Sequence, residues 1–243
     1  MTRTGGAGDT QRRIGKMHKT GLEKDYAVRR EAMVQDQLIG RGIRDALVLD
    51  AMRKVPREQF VPEIERGYAY IDGPLPIGAG QTISQPYIVA LMTEALQLKG
   101  GERVLEIGTG SGYAAAILAE IAGEVFTVER VKELAERAAV TLSDQGYGNA
   151  HVRHGDGTLG WTEHAPYDAI VVTAGGPKVP ESLRQQLTIG GSLVIPVGTR
   201  PSYQRLVKVV RRSENHFDST NLGEVRFVAL VGREGWREGD TGL

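Results

Sequence analysis

The sequence predicts an α/β fold in which a mostly parallel, seven-stranded sheet is covered by helices on both faces and preceded by helical N-terminal additions. Three observations predict it. Val104-Leu-Glu-Ile-Gly-Thr-Gly-Ser-Gly112 runs directly into Tyr113-Ala-Ala-Ala-Ile-Leu-Ala-Glu120, the pattern of a buried strand, a glycine turn and a helix joined end to end. From Arg103 to Val197 short apolar runs alternate with helical stretches, so parallel strands joined by crossover helices are expected. The last two apolar runs have no helical pattern between them and would close the sheet antiparallel.

Taken in order, residues 1–24 carry Arg12, Arg13, Lys16 and Lys19 among Gly and Thr without apolar periodicity, and read as a basic tail. Residues 25–232 read as a single domain, with helices and a loop over 25–100, a core over 101–198 and late strands over 199–232. A helix is predicted from Asp25 to Ile39, ending at Gly40, and a second from Arg44 to Lys54, stopped by Pro56. Gly73, Pro74, Pro76, Gly78 and Gly80 predict a long ordered loop over Ile71–Gln85. After Pro86 a helix buries Ile88, Leu91, Met92, Ala95 and Leu96 and ends at Gly100-Gly101.

The alternating region supplies predicted strands at Arg103–Ile107, Val125–Val128, His151–Arg153, Tyr167–Thr173 and Ser192–Val197. Helices are predicted at Tyr113–Ile121, Val131–Asp144 and Pro180–Leu187. Leu206–Arg211 and Glu224–Val231 are the late strands, joined by a polar connector. Residues 233–243 are polar and expected to fray.

Composition excludes several functions. Thirty basic and thirty acidic residues give zero net charge, which implies no chain-wide attraction to nucleic acid or to an acidic membrane. The absence of cysteine removes disulfides, thiolate metal sites and thiol nucleophiles, and fits a reducing compartment. No apolar run approaches the length of a membrane span, so a cytoplasmic enzyme is expected. His151, His154 and His164 lack metal-ligand spacing, and no metal site is expected.

The glycine turn lets the backbone pass close to a ligand at a helix N-terminus. A dinucleotide fingerprint would need glycine at 113, where Tyr113 stands, and a phosphate loop would need a Gly-Lys-Ser/Thr sequence, which is absent. Glu106, just before the glycines, would repel a pyrophosphate and attract an ammonium group. Glu129, 23 positions later at the end of the second strand of the core, could accept from ribose hydroxyls. Asp156, in Gly155-Asp156-Gly157 after the third, could accept from an adenine amino group. Each has a plainer role: Glu129 as a cap of the helix near Val131, Asp156 as a turn residue. Three acids after three successive strands favour a ligand.

These residues resemble the S-adenosylmethionine-binding motif of class I methyltransferases, which have a Rossmann-like, doubly wound fold. A narrower resemblance, to the protein-L-isoaspartate O-methyltransferases, is carried by Asp72-Gly-Pro-Leu-Pro-Ile-Gly-Ala-Gly-Gln-Thr-Ile-Ser-Gln-Pro-Tyr-Ile-Val-Ala90. Val55-Pro-Arg-Glu58, Tyr167-Asp-Ala-Ile-Val-Val-Thr173 and Leu193-Val-Ile-Pro-Val-Gly198 support it, and it extends over residues 27–232. Some members carry Ala-Pro-His where this chain has Gln85-Pro86-Tyr87, so a role for that histidine does not carry over. The resemblance implies methylation of the free α-carboxylate of L-isoaspartyl residues in damaged proteins or peptides. S-adenosyl-L-methionine would be the donor and S-adenosyl-L-homocysteine the product.

The cofactor is then expected on Glu106, Gly108, Thr109, Gly110, Ser111, Gly112, Glu129, Arg130, Asp156 and Gly157. The resemblance maps the family's active-site serine onto Ser84, which could equally be the N-cap of the helix after Pro86. Thr82, Ile83 and Thr173 are expected beside it at the substrate. Pro196 suggests an irregular strand partly open to an extended peptide. The enzyme is expected to be monomeric, with no nucleic-acid or membrane partner. Nucleic-acid amino methylation would favour an Asn/Asp-Pro-Pro-aromatic segment, whereas the chain has Thr173-Ala-Gly-Gly-Pro177. A nicotinamide oxidoreductase is disfavoured by Tyr113, and a non-catalytic module by the intact glycines and acids.

Overall fold

The computed structural model describes residues 25–200 and 203–239; the tail expected over 1–24 lies outside the described residues. Residues 25–32 form helix α1, which continues through a π-helical turn, Met33–Leu38, and a 3-10 turn, Ile39–Arg41. The stop falls at Gly42 rather than Gly40, because Gly42 takes the left-handed conformation (φ 101°) that closes the turn. Helix α2 (Ala46–Lys54) begins at Asp45, whose carboxylate accepts from the N–H groups of Leu47 and Val48.

The expected loop over 71–85 contains a hairpin instead: β1 (Leu75–Gly78) pairs antiparallel with β2 (Gln81–Ile83). Its breakers fall where a hairpin needs them, with Gly78, Ala79 and Gly80 all at positive φ in the turn. Leu75, Ile77 and Ile83 point inward while Pro76 and Thr82 are exposed, the period-two alternation of a strand. Helix α3 (Pro86–Leu96) buries Val89, Ala90, Met92, Thr93 and Leu96. Ile88, Leu91 and Ala95, predicted as inner residues, are only partly buried; the face through Val89, Ala90, Met92 and Thr93 is the one turned to the π-helical turn, α2 and the sheet. It ends on Gln97 in the left-handed region, before the glycines.

The core follows as β3 (Arg103–Ile107), α4 (Tyr113–Ala119), β4 (Glu124–Glu129), α5 (Lys132–Asp144), β5 (Ala150–His154), β6 (Tyr167–Val172), α6 (Glu181–Gln185), β7 (Leu187–Arg200), β8 (Tyr203–Arg211) and β9 (Phe217–Val225). The seven-stranded sheet has the order β5-β4-β3-β6-β7-β8-β9. The first five are parallel; β8 runs antiparallel to both its neighbours. Val104, Val125, Ala169 and Val171 face a core shared with α1–α5, while Leu105, Ile107, Phe126 and Ile170 face a second core under α6. Burial on both faces explains why these strands read as continuous apolar runs.

The last strand lies earlier than predicted. Phe217–Val225 is a mostly exposed edge strand, so its polar residues resembled a connector. The apolar run Val228–Val231 is used elsewhere: Ala229 bridges Gly175, and Val231 bridges Trp236. Pro196 does not mark an opening. It pairs with Leu206 on one side, and its carbonyl accepts from Gly176 N–H on the other at 3.0 Å. Residues 233–239 do not fray, because they are bonded to the sheet's carboxyl edge.

Candidate active site

The strand order reverses at β3, with β4 on one side and β6 on the other. The loops that follow part and leave a crevice at the carboxyl ends of the strands. A cavity of about 270 Å³ opens there, walled by Gly108 and Gly110, Glu129 and Arg130, Gly157, Thr173, Thr82 and Val228–Val231.

The glycines are dictated by space. Gly108 sits at φ 98°, and a Cβ on it would lie 2.4 Å from Thr173 Oγ1. The Thr173 hydroxyl donates to Gly108 O at 2.7 Å, so this threonine, predicted beside the substrate, first of all clamps the glycine loop. A Cβ on Gly157 would lie 2.4 Å from Ile107 Cγ2. A Cβ on Gly110 would press on Ile77 of the hairpin at 3.3 Å, which places β1 directly over the loop. Gly112 starts α4 in the left-handed region, and Ser111 Oγ accepts from Tyr113 N–H at 3.3 Å.

The three acids separate. Glu129 stands at the cavity wall, its two carboxylate oxygens accepting from Gly110 N–H at 2.9 Å and Val131 N–H at 2.8 Å. It does not cap the following helix, whose N-cap is Val131 with no side-chain cap bond; it ties the glycine loop to Val131 and stands in the cavity wall. Glu106 is fully buried beneath the loop. Its Oε2 accepts from the Thr127 hydroxyl at 2.6 Å, which in turn meets Thr109 Oγ1 at 2.6 Å, while Oε1 has no partner. Burial pushes its pKa up to about 8; the Thr127 hydrogen bond opposes this and the negative charge of Glu129 adds to it. Asp156 is not in the cavity wall. Its Oδ1 accepts from Thr158 N–H and Oγ1, and its Oδ2 from Arg233 N–H at 2.8 Å, so it fixes its own turn and tethers the C-terminal segment.

Arg130 reaches Glu238 at 3.0 Å across the cavity rim. Ile83, on the inward face of the hairpin, is buried, and Thr82 is exposed and lines the cavity. Ser84 does not cap α3: the N-cap is Gln85, with no side-chain cap bond, and the Ser84 hydroxyl bonds to no described residue. It is half-buried and uncommitted. His151, His154 and His164 serve the fold, with His151 and His164 stacked on Phe126 and His154 bonded to Arg130 O. No metal-binding cluster occurs among the described residues.

Several contributors were missed in the sequence. Val228–Val231 and Glu238 wall the cavity, and the only sequence signals of this stretch are the apolar run Val228–Val231 and the isolated Trp236, whose indole N–H donates to Gly175 O at 2.9 Å. Thr127, mid-strand, gave no signal for its bond to Glu106. Arg57 is fully buried.

The loop approaches without side chains, a carboxylate stands at the end of β4, and a buried carboxyl with a free oxygen lies under the loop. The close glycines and the Glu129 carboxylate at the wall suit a nucleoside with hydroxyl groups, and not a pyrophosphate. Fold and site together define a class I S-adenosylmethionine-dependent methyltransferase.

Comparison narrows this. The family model "Protein-L-isoaspartate(D-aspartate) O-methyltransferase (PCMT)" matches residues 28–235, and the chain belongs to this family. It is 63% identical over 211 residues to protein-L-isoaspartate O-methyltransferase 1 of Rhodopseudomonas palustris strain HaA2, covering 87% of this chain and 86% of that one. It is 58% identical over 220 residues to protein-L-isoaspartate O-methyltransferase 2 of Marinobacter nauticus, covering 90% and 100%. Among solved structures, a protein-L-isoaspartate O-methyltransferase superposes with a TM-score of 0.77 at 32% identity, covering 85% of this chain and 67% of that one. A Plasmodium falciparum structure of this type, in complex with S-adenosyl-L-homocysteine, gives 0.72 at 28% identity, covering 82% and 97%.

Proposed function

We propose that the chain transfers a methyl group from S-adenosyl-L-methionine to the free α-carboxylate of L-isoaspartyl residues in damaged proteins or peptides. Membership of the family supports the reaction. The observation that carries the site is the uncommitted Ser84 hydroxyl, beside a hairpin whose Thr82 lines the glycine-loop cavity.

When bound, the cofactor supplies an electrophilic methyl on a sulfonium. The chain's residues hold and orient. Glu129 would accept from the ribose hydroxyls; Gly108, Gly110 and Gly157 admit the nucleoside closely; Glu106, fully buried under the loop and joined through Thr127 to Thr109, would brace the loop that holds the cofactor. Ser111 and Gly112 shape the turn, and Arg130 closes the rim with Glu238. Asp156 acts on this wall through the segment it tethers.

A substrate α-carboxyl has an ordinary pKa of about 3.3–3.7 and is already ionised at neutral pH, so no general base is needed. The Ser84 hydroxyl would donate to one carboxylate oxygen and leave the other to react, with Thr82, Ile83 and Thr173 packing around it. Rate then comes from alignment and from excluding water. The adjacent backbone nitrogen would then displace methanol from the methyl ester to close a succinimide, which water partly reopens to aspartate.

Radiolabelled methyl transfer to an isoaspartyl peptide, with none to its aspartyl twin, is the expected result; equal transfer to both, or to neither, would refute the substrate. The domain division at residues 24 and 232, a monomeric state and a cytoplasmic location belong to the same proposal. Light scattering at working concentration checks the oligomeric state. No helix among the described residues is long and apolar enough to cross a membrane.

A further inference from the structure

Arg57 is the largest fully buried side chain of the described residues, and nothing in the reaction outlined above uses it. Its Nε donates to Ala69 O and its Nη2 to Ser84 O, both at 2.7 Å. Its guanidinium lies 4.8 Å from the ring centroid of Tyr113, the first residue of α4 after the glycine loop. Its Nη1 is buried without a partner.

The charge is also unmatched. Neighbouring Glu58 is buried, but its carboxylate is taken by the Tyr70 hydroxyl and by Arg30 at 3.3 Å. Arg57 forms no ion pair among the described residues. A buried cation with two carbonyl acceptors and no carboxylate is costly to maintain. An anion arriving from outside would offset that cost.

We propose that Arg57 is a positioning residue for carboxylate methylation: it fixes the Ser84 turn against the start of α4, and its unpaired charge attracts the substrate carboxylate to that turn. The inference rests on the isoaspartyl reading and deepens it. One guanidinium touches both halves of the machinery, the carbonyl of the serine on the substrate side and the aromatic ring that follows the cofactor loop. Methyl transfer depends on aligning those halves. Positive charge behind the Ser84 carbonyl makes the turn attractive to an anion without placing a cation beside the sulfonium methyl.

R57K keeps the charge but cannot span both carbonyls, whereas R57Q loses the charge and the fork together. For an isoaspartyl peptide, R57K should keep KM within about threefold of wild type and lose about tenfold in kcat, while R57Q loses a similar factor in kcat and also raises KM by about tenfold or more. Calorimetric titration with S-adenosylhomocysteine should give the same affinity for all three. Equal KM values for the two variants, or a fall in S-adenosylhomocysteine affinity matching the loss of activity, would overturn the proposal in favour of a purely structural arginine.

Should R57Q fail to fold, a cycle of R57K with S84A decides. The kcat loss of R57K should vanish in the S84A background, because Arg57 acts through that turn; the same loss in both backgrounds would overturn it. Wild-type enzyme inactive on isoaspartyl peptide would refute the substrate reading. Active wild type with unaffected Arg57 variants would refute only this inference.

Discussion

Two residues carry the sharpest tests. The Ser84 hydroxyl bonds to nothing described and does not cap α3, so Ser84→Ala should cost little stability. Losing one hydrogen bond to a charged group should lower kcat about ten- to a hundredfold. Calorimetry should show unchanged affinity for S-adenosylmethionine. Glu106 makes a prediction in pH. Its carboxyl, ordinarily ionised well below neutrality, is held protonated to about pH 8 by burial. Between the unfolded and folded values the native state binds the proton and the unfolded state does not, so stability is full in acid and falls as pH rises towards 8. Glu106→Gln removes the titration. Melting temperatures of wild type should fall from pH 5 to 8 relative to the variant, with the gap closing at the acid end.

At the scale of elements, the β1–β2 hairpin and the glycine loop form one unit. Ile77 sits over Gly110 so closely that a Cβ there would meet its Cδ1 at 3.3 Å, and Arg137 of α5 donates to Ile77 O. Arg137→Ala should release the hairpin without unfolding the core. Hydrogen exchange over residues 75–83 should accelerate while β3 and β4 stay protected, and KM for the peptide should rise. The breakers that suggested a loop illustrate a limit of local reading. Gly78 and Gly80 mark the turn correctly, but two strands of four and three residues are too short to register as periodicity and exist because Leu75, Ile77 and Ile83 have a core to enter.

At the scale of the whole molecule, the segment after Gly232 is tied across the sheet's carboxyl edge and sets Glu238 on the cavity rim. Arg233 N–H bonds to Asp156, Glu234 holds Ser182 Oγ at 2.5 Å, and Trp236 bonds to Gly175. Truncation after Gly232 removes these contacts and the Arg130–Glu238 pair together. It should weaken S-adenosylhomocysteine binding at least about tenfold and lower the melting temperature by several degrees, readable by calorimetry and thermal shift. The parallel core, the glycine turn and the acids at 106, 129 and 156 were legible in the sequence, because strand period, turn chemistry and helix starts are local properties of neighbouring residues. Which acid meets the cavity was not. Glu106 goes beneath the loop because alternate residues of a strand face opposite sides. Asp156 is withdrawn because a backbone N–H some 77 positions away claims its carboxylate. Arg57 reaches Ser84 only because folding brings together residues 27 positions apart. Sequence determined the fold class and the chemistry available at the strand ends; tertiary packing alone decided which of those groups are buried, which are already bonded, and which remain free to act.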